Sequence, residues 1–318
     1  IKEVTKEEVS FEALGGAKVH STKSGVAHLS AKDDKACLDA IKRLLEYLPQ
    51  NNLERPATKE CTDPVDRETP ELIDMVPIQM HKVYDMIQVI KTVVDDGQFF
   101  EIHPRFAQNL VVGFARLAGQ VVGFVCNNPR FLGGCLDINA SDKGARFIRT
   151  CDAFNIPLIT MVDVPGFLPG VRQEHSGIIR HGAKMLYAWT EATVPKISLI
   201  LRKMYGGAIP AMGVHQIGFD QVFAWPSAEM QMVGAEPSVK ILELRVLAAA
   251  EDAKDFLDKK LNEYHDVYLT PYLSDSRSVI DALIHPKDTR RHLVSALGIL
   301  DGKAEPQRPY RKHGNIPL

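Results

Sequence analysis

The stretch Lys196–Gly213, KISLILRKMYGGAIPAMG, holds the residues that are best placed to do chemistry. Its first half, Ile197–Leu201, is β-branched and aliphatic, which is typical of a strand buried on both faces. Gly206, Gly207 and Ala208 follow, and the small apolar residues after them predict a helix that begins at the glycines. Such a turn points unpaired backbone N–H groups at one spot, which can bind an anion or a developing oxyanion. The alternative is a tight turn in which glycine only lets a helix and a strand pack closely.

Two other glycine-bearing loops follow predicted strands and precede predicted helices. One is Val162–Gly170, in which two Pro-Gly pairs fix a rigid turn and leave Phe167 and Leu168 at its tip. The other is Gly133–Asn139. Because ligands of open α/β layers collect at the carboxyl ends of strands, we expect the three loops to share one pocket. The alternative is that they are three unrelated turns.

The remaining polar candidates form no known catalytic motif, since G-x-S-x-G, H-E-x-x-H, Walker and dinucleotide-binding patterns are all absent. We predict that Asp163 forms its turn through its side chain, with catalysis or metal binding as the lesser alternative. Asp137 and Asn139 are expected to brace their loop, and His181 to be a hydrogen-bonded packing residue rather than a base. Met230–Met232 fits an apolar wall or a subunit contact at least as well as a ligand site.

Composition narrows the class of protein. With 318 residues and 45% hydrophobic residues, the chain can bury a sizeable core, and its net charge of −2 argues against a nucleic-acid binder. No segment approaches the roughly 20 apolar residues of a membrane span, and the opening IKEVTKEEVS lacks a signal-peptide pattern. The five cysteines are scattered without C-x-x-C spacing, so we predict neither a disulfide framework nor a metal site, and an intracellular location.

Periodicity predicts the elements that position these loops. Helices are predicted over Lys32–Leu48, Lys82–Val94, Lys143–Phe154, Gly177–Glu191 and Pro210–Val214. Strands are predicted over Phe99–Ile102, Leu110–Leu117, Gln120–Cys126, Ile156–Val164, Lys196–Leu201 and Gln221–Ala224. This alternation indicates an α/β layer fold with parallel crossovers, and the C-terminal third, through Ile241–Leu261 and Ser278–Leu300, is predicted to be mainly helical.

Three long blocks of the chain carry a family resemblance. They are the run 134–208, which includes GCLDINASDKGARF, TMVDVPGFLPG and LRKMYGGA, the segment AWPSAEMQMVGAE at 224–236, and the end KHGNIPL at 312–318. The chain strongly resembles the carboxyltransferase β subunits of biotin-dependent acyl-CoA carboxylases. Propionyl-CoA carboxylase β chains, transcarboxylase and methylmalonyl-CoA decarboxylase share this pattern.

The resemblance implies a domain division and a fold. Family members have two crotonase-like domains of ββα superhelix type, the first for acyl-CoA and the second for biotin. Residues 1–55 resemble the tail of the first domain, 56–75 a linker, and 76–318 the C-terminal carboxyltransferase domain. We expect either a fragment of a longer protein or a natural division into separate chains.

The resemblance also implies the mechanism and the site. Carboxybiotin releases CO2, the biotin anion takes the α-proton of the acyl thioester, and the enolate captures the CO2. The protein then supplies positioning and oxyanion stabilisation, which is why no side-chain base stands out. The backbone N–H groups of Gly207 and Ala208 would hold the ureido oxygen of biotin, while Gly166, Phe167 and Gly206 would line the same pocket.

One departure from the family pattern concerns the acyl group. Many propionyl-type members carry Tyr-Asp where this chain has Ile209 and Pro210, and the second position helps to set acyl-chain length in the family. We therefore expect a different acyl group that is longer or bulkier than propionyl.

The partners implied by the resemblance are a biotin carboxylase and a biotin carboxyl-carrier subunit, or a membrane decarboxylase pump if the reaction runs backwards. The chain itself would be part of a homo-oligomer, a trimer of dimers, without inserting into a membrane. The expected location is the cytoplasm, or the mitochondrial matrix in a eukaryote. Two alternatives stay open, which are a crotonase-type hydratase or hydrolase and a non-catalytic assembly subunit.

Overall fold

The computed structural model describes residues 1–249, 252–276, 278–303 and 314–317, so the predicted segment Ile241–Leu261 and the closing KHGNIPL motif lie partly outside the described residues. The helices are α1 Phe11–Gly15, α2 Ala17–Thr22, α3 Asp34–Leu45, α4 Glu71–Met75, α5 Met86–Val93, α6 Ile138–Ala153, α7 Val171–His175, α8 Ile178–Glu191, α9 Ala208–Met212, α10 Ala235–Leu242, α11 Leu244–Ala249, α12 Ala253–Tyr268, α13 Pro271–Ser276 and α14 Thr289–Ile299. The strands are β1 Phe99–Ile102, β2 Leu110–Leu117, β3 Gln120–Asn127, β4 Leu158–Val164, β5 Lys196–Tyr205, β6 Gln221–Ala224, β7 Glu229–Gln231 and β8 Ala282–Leu283.

One mixed sheet with the strand order β1-β2-β3-β4-β5-β6-β8 organises the chain. β1, β2 and β3 pair in antiparallel fashion, and every later pairing is parallel. The crossovers from β3 to β4 and from β4 to β5 carry α6 and α8. The carboxyl ends of β3, β4 and β5 therefore meet at one edge of the sheet, which is where the three glycine loops begin.

The sheet is buried on both faces. Along β4, Leu158 and Val162 pack into the core beneath α6 and α8, whereas Ile159 and Met161 pack into the core on the side of α5 and α14. All seven residues of β4 are buried, which explains why its sequence is a continuous apolar run rather than an alternating one.

Most predicted elements are present, with shifts at their ends. β1, β2 and β6 have the predicted bounds, and Ala118-Gly119 forms the turn between β2 and β3 with positive φ at both residues. α6 begins five residues earlier than predicted, since the Asp137 side chain accepts a hydrogen bond from the Ala140 amide and caps the helix. α5 begins later than predicted because Asp85 caps it.

Parts of the first 75 residues pack against the sheet. Tyr47 stacks on Phe100 and Phe114 at 5.8 Å between ring centroids, and Arg116 donates to the Glu46 carbonyl at 2.7 Å. In the predicted linker 56–75, Leu72 is fully buried in the core. The division into a domain tail, a linker and a second domain stays a prediction.

A stacked histidine pair joins the N-terminal segment to the sheet. The rings of His28 and His103 lie 4.2 Å apart, and Nε2 of His103 lies 3.0 Å from the Gly25 carbonyl. Burial, the neighbouring His28 and the cations Lys143 and Arg146 lower the pKa of His103 to about 4.

We expect this pair to make stability depend on pH. His103 is neutral in the folded protein, and its pKa there is lowered. Its contribution to stability is therefore complete above its pKa in the unfolded chain, near 6.5, and is lost as the pH falls towards its pKa in the folded protein, about 4. Between pH 7.5 and pH 5, the wild-type protein should lose ~2 kcal/mol more of its free energy of unfolding in urea than the His103→Gln variant loses. The glutamine amide keeps a hydrogen-bond donor but does not titrate. An identical pH dependence in the variant would contradict this assignment.

Candidate active site

The three predicted loops meet at the carboxyl edge of the sheet. The Leu136 amide donates to the Gly166 carbonyl at 3.0 Å, and the Leu168 amide donates back to the Leu136 carbonyl at 2.8 Å. The Phe167 ring lies beside the third loop, since a β-carbon added to Gly207 would be 3.6 Å from Cδ2 of Phe167. The structure therefore brings the three loops into contact with one another, and the pocket that they are expected to share stays a prediction.

The glycine turn after β5 presents two adjacent amides. Gly206 has a left-handed φ of 59°, and Gly207 has helical angles of φ −62° and ψ −13°. Within the described part of the chain, the amides of Gly207 and Ala208 donate to no protein acceptor. Gly207 is exposed, whereas Ala208 is fully buried behind it.

The space in front of this turn is open on one side. Gly166 has φ 142°, a region that favours glycine, and a β-carbon added there would meet no atom within 4 Å. Gly166 and Gly207 thus border open space near the Phe167 ring, which we call the mouth, and the neighbouring Ala208 is fully buried. Ile209 and Pro210 lie half-buried in the first turn of α9.

A short strand that the sequence did not predict holds the glycine turn. β5 is four residues longer than expected, because its second half pairs with β7 through Lys203–Tyr205 while its first half pairs with β6. The Gly206 amide continues this ladder by donating to the Gln231 carbonyl at 2.8 Å. The Tyr205 hydroxyl also donates to Glu229 on β7. Burial, and to a smaller extent this hydrogen bond, raises the pKa of Tyr205.

The region Met230–Met232, predicted as an apolar wall or a subunit contact, is therefore part of this strand and its end. Met230 packs against the core, while Met232 is 73% exposed. β7 has only three residues, which is too short for a hydrophobic period, so it can be recognised only from its pairing with β5.

A further glycine, absent from the predicted site, positions the Phe167 ring. Gly182 on α8 lies against the ring, because a β-carbon added there would be only 2.9 Å from Cε1 of Phe167. The ring is thus confined between Gly182 and Gly207. A glycine inside a helical pattern is the only sequence signal for this role, and it is a weak one.

The prediction for Asp163 is wrong. Its carboxylate is fully buried in β4 and accepts from Nε of Arg202 at 2.8 Å and from Nη2 at 2.7 Å. Arg202 on β5 also donates to the carbonyls of Pro77 and Gln79. Asp163 is therefore the inner half of a buried ion pair beneath the site, and not a turn-former. The available signal was a charge near the end of each of two apolar strands, Asp163 in β4 and Arg202 in β5.

The other polar predictions are confirmed where the structure tests them. Asp137 braces its loop by capping α6 and by accepting from Asn109 Nδ2 at 3.0 Å. Nδ1 of His181 lies 2.8 Å from the Asp142 carboxylate, and its side chain is 15% exposed, as expected of a hydrogen-bonded packing residue. Asn139 lies in the first turn of α6, and its bracing role stays a prediction.

The sequence and the fold agree with a single family. The chain belongs to the carboxyltransferase family, since the model of the carboxyl transferase domain matches residues 1–316. It is 48% identical to methylmalonyl-CoA decarboxylase subunit alpha of Propionigenium modestum and 47% identical to the mitochondrial propionyl-CoA carboxylase beta chain of Homo sapiens, each over the whole of this chain. The predicted resemblance is confirmed.

A solved structure confirms the crotonase-like α/β fold. The transcarboxylase 12S hexamer with methylmalonyl-coenzyme A and methylmalonic acid bound superposes with a TM-score of 0.96 and 49% identity over all of this chain. The chain spans 57–61% of the length of these three relatives. All five cysteines are free thiols, and among the helices in the described ranges none is long and apolar enough to cross a membrane.

Proposed function

We propose that this chain is the biotin-side part of a carboxyltransferase that moves CO2 from carboxybiotin to the α-carbon of a short-chain acyl-CoA. One observation carries the proposal, which is that two adjacent amides, Gly207 and Ala208, have no acceptor in the described chain and stand beside an open mouth. The exposed Gly207 amide can donate to water, whereas the Ala208 residue is fully buried. A buried N–H without a partner costs about 1–3 kcal/mol, so a ligand oxygen that accepts from the Ala208 amide is favoured there.

The residues present fit a biotin ureido group. Its oxygen is one acceptor with two lone pairs, and two neighbouring N–H donors match it as an oxyanion hole does. The ring of Phe167 offers an apolar wall for the bicyclic rings, and Gly166 and Gly206 leave room for them. When bound, carboxybiotin supplies the CO2 by breaking its N–C bond and a nitrogen that takes up the α-proton, while the new C–C bond forms at the acyl α-carbon.

The role of the chain is therefore to bind, orient and stabilise charge. The side chain that flanks Gly207 is the Phe167 ring, which is neither an acid nor a base. The nearby Tyr205 hydroxyl and Glu229 carboxylate are hydrogen-bonded to each other. The amides of Gly207 and Ala208 would hold a bound ureido oxygen and would stabilise negative charge on it without reorganising. Ile209 and Pro210 border the site and are proposed to select the acyl group.

The whole protein is proposed to work as an assembly. We propose the domain division at 1–55, 56–75 and 76–318 and a site shared with an acyl-CoA domain, with a biotin carboxylase and a biotin carboxyl-carrier subunit as partners. The related transcarboxylase 12S protein assembles as a hexamer, which supports a trimer of dimers here. The same chemistry in reverse would serve a decarboxylase, as the name of the relative in Propionigenium modestum suggests. We propose a cytoplasmic location, or the mitochondrial matrix in a eukaryote.

Isothermal titration of the full-length natural protein with biotin methyl ester tests the proposed biotin site. We expect binding that weakens about tenfold in Gly182→Ala, because the added methyl would lie 2.9 Å from Phe167 and displace the ring that walls the site. Gly298→Ala is the matched control on α14, where an added β-carbon meets nothing within 4 Å. Absence of binding to the wild-type protein would favour a non-catalytic assembly subunit.

A further inference from the structure

A cavity of about 220 Å³ lies between α3 and α6, over the strands β1 and β2. We call it the α3–α6 cavity. None of the described residues that line it belongs to the three glycine loops, so it is separate from the proposed biotin site. Its volume is below the range of about 300–1,000 Å³ that is typical of sites for drug-sized molecules, so it suits a small ligand.

The floor of the α3–α6 cavity is apolar. Leu44 in the last turn of α3 and Leu48 just beyond it are half-buried against the core. Ile102 of β1 lies opposite them, and the buried rings of Phe114 and Phe147 pack together with their centroids 5.0 Å apart. A hydrocarbon group placed against these side chains would be removed from water, which favours its binding.

The rim of the α3–α6 cavity is positively charged, since Lys143 and Arg146 line it and no Asp or Glu is among its described lining residues. Nζ of Lys143 is buried and donates to three backbone carbonyls of the loop after β1 at 2.8–3.2 Å. Arg146 is exposed, and its guanidinium donates to no acceptor in the described ranges. The Thr150 hydroxyl, one turn further along α6, donates to the Arg146 carbonyl. Arg146 is therefore the rim cation that is available to a ligand.

His28 is the second available group at this rim. Its ring stacks on that of His103, but within the described part of the chain neither of its ring nitrogens is hydrogen-bonded to protein. Burial, and then the charge of Arg146, lowers the pKa of His28. The positive charge of Arg146 therefore acts on the interior of the cavity, where it would attract an anionic group that could also accept from His28.

We propose that the α3–α6 cavity binds an amphipathic monocarboxylate of the medium-chain fatty acid type, with its carboxylate at Arg146 and His28 and its hydrocarbon chain against Leu44 and Phe147. The planar guanidinium of Arg146 presents two parallel donors that match a carboxylate. The site lies where the N-terminal segment meets the sheet, so a bound ligand should stabilise this junction. The inference goes beyond carboxyl transfer and does not depend on it.

The test is isothermal titration of the full-length natural protein with octanoate, with and without saturating coenzyme A and biotin methyl ester. Octanoate should bind at least about tenfold more tightly than butyrate, because each buried methylene group strengthens binding about three- to fourfold. It should also bind about tenfold more tightly than octanol and octylamine, which have the same chain without the negative charge. Coenzyme A and biotin methyl ester should leave the affinity unchanged.

Two variants with matched controls locate the ligand. Arg146→Met should weaken octanoate about tenfold and leave octanol unchanged. Its control is Arg149→Met, which removes an exposed arginine of the same helix outside the cavity lining and should have no effect. Leu44→Trp fills the cavity and should weaken octanoate and octanol alike. Its control is Leu45→Trp, at a side chain of α3 that is 60% exposed and does not line the cavity.

The outcomes are decisive in both directions. Displacement of octanoate by coenzyme A or by biotin methyl ester would assign it to the reaction site and overturn the inference. Equal affinities for octanoate, octanol and octylamine, or equal weakening by Arg146→Met and Arg149→Met, would overturn it as well. Urea unfolding shows which variants are folded, and if Leu44→Trp is not, the exposed substitution Arg146→Met decides. Each of these results leaves the proposed carboxyl transfer untouched.

Discussion

Replacement of Gly207 by valine keeps the backbone N–H, but its side chain should keep a ligand oxygen away from that N–H and lower kcat for carboxyl transfer by about 10²–10³-fold, a loss comparable to that of one oxyanion-hole donor. The branched side chain would meet the Phe167 ring, whose Cδ2 lies 3.6 Å from the position of the new β-carbon, and would occupy the mouth of the site. The backbone tolerates the change, because Gly207 is exposed and its φ of −62° is allowed for any residue.

The measurement is steady-state carboxyl transfer by the full-length protein, together with urea unfolding of the same samples. Gly302→Val is the matched control, since a β-carbon added at this exposed glycine meets nothing within 4 Å. We expect the midpoint of unfolding to be similar in both variants and only Gly207→Val to lose activity. Normal turnover in Gly207→Val would refute the assignment of its amide.

The second large effect concerns the buried ion pair beneath the site. Arg202→Met leaves the buried Asp163 carboxylate with only the Lys203 ammonium 3.7 Å away, and breaking a buried pair typically costs about 3–5 kcal/mol of stability. It also removes the hydrogen bonds that fix the segment around Pro77 and Gln79 against β5. We therefore expect the free energy of unfolding in urea to fall by about 3–5 kcal/mol.

A double-mutant cycle isolates the charge effect. Asp163→Asn combined with Arg202→Met removes both charges, so it should recover part of the stability that Arg202→Met loses. Lys240→Met provides the contrast, because the Lys240–Glu236 pair is exposed and such pairs contribute about 0–1 kcal/mol. A loss below about 1 kcal/mol in Arg202→Met would show that the pair does not hold this edge of the sheet.

Local sequence patterns were sufficient for the framework of the fold. β4 is a continuous apolar run because both of its faces are buried, and the turn residues Ala118-Gly119 mark the hairpin between β2 and β3. The ends of helices were less predictable, because α6 starts where Asp137 accepts a bond from an amide three residues ahead. The capping carboxylate of Asp137 also accepts a hydrogen bond from Asn109, which is distant in sequence.

The site could be predicted only in part, for a similar reason. The glycine turn and the Pro-Gly loop are visible as departures from apolar strands, whereas the roles of Gly207, Ala208, Gly166 and Phe167 come from the family resemblance and stay predictions. β7 and the Arg202–Asp163 pair depend on which strands become neighbours. Gly182 depends on where a distant ring packs, which no spacing along the chain encodes.

The most direct test of the central claim is a crystal structure of the full-length protein with its biotinylated carrier or with biotin methyl ester. We predict the ureido oxygen at about 2.7–3.1 Å from the amide nitrogens of both Gly207 and Ala208, with the bicyclic rings against Phe167. Biotin bound elsewhere, with these two amides facing solvent or a protein carbonyl, would contradict the proposed site.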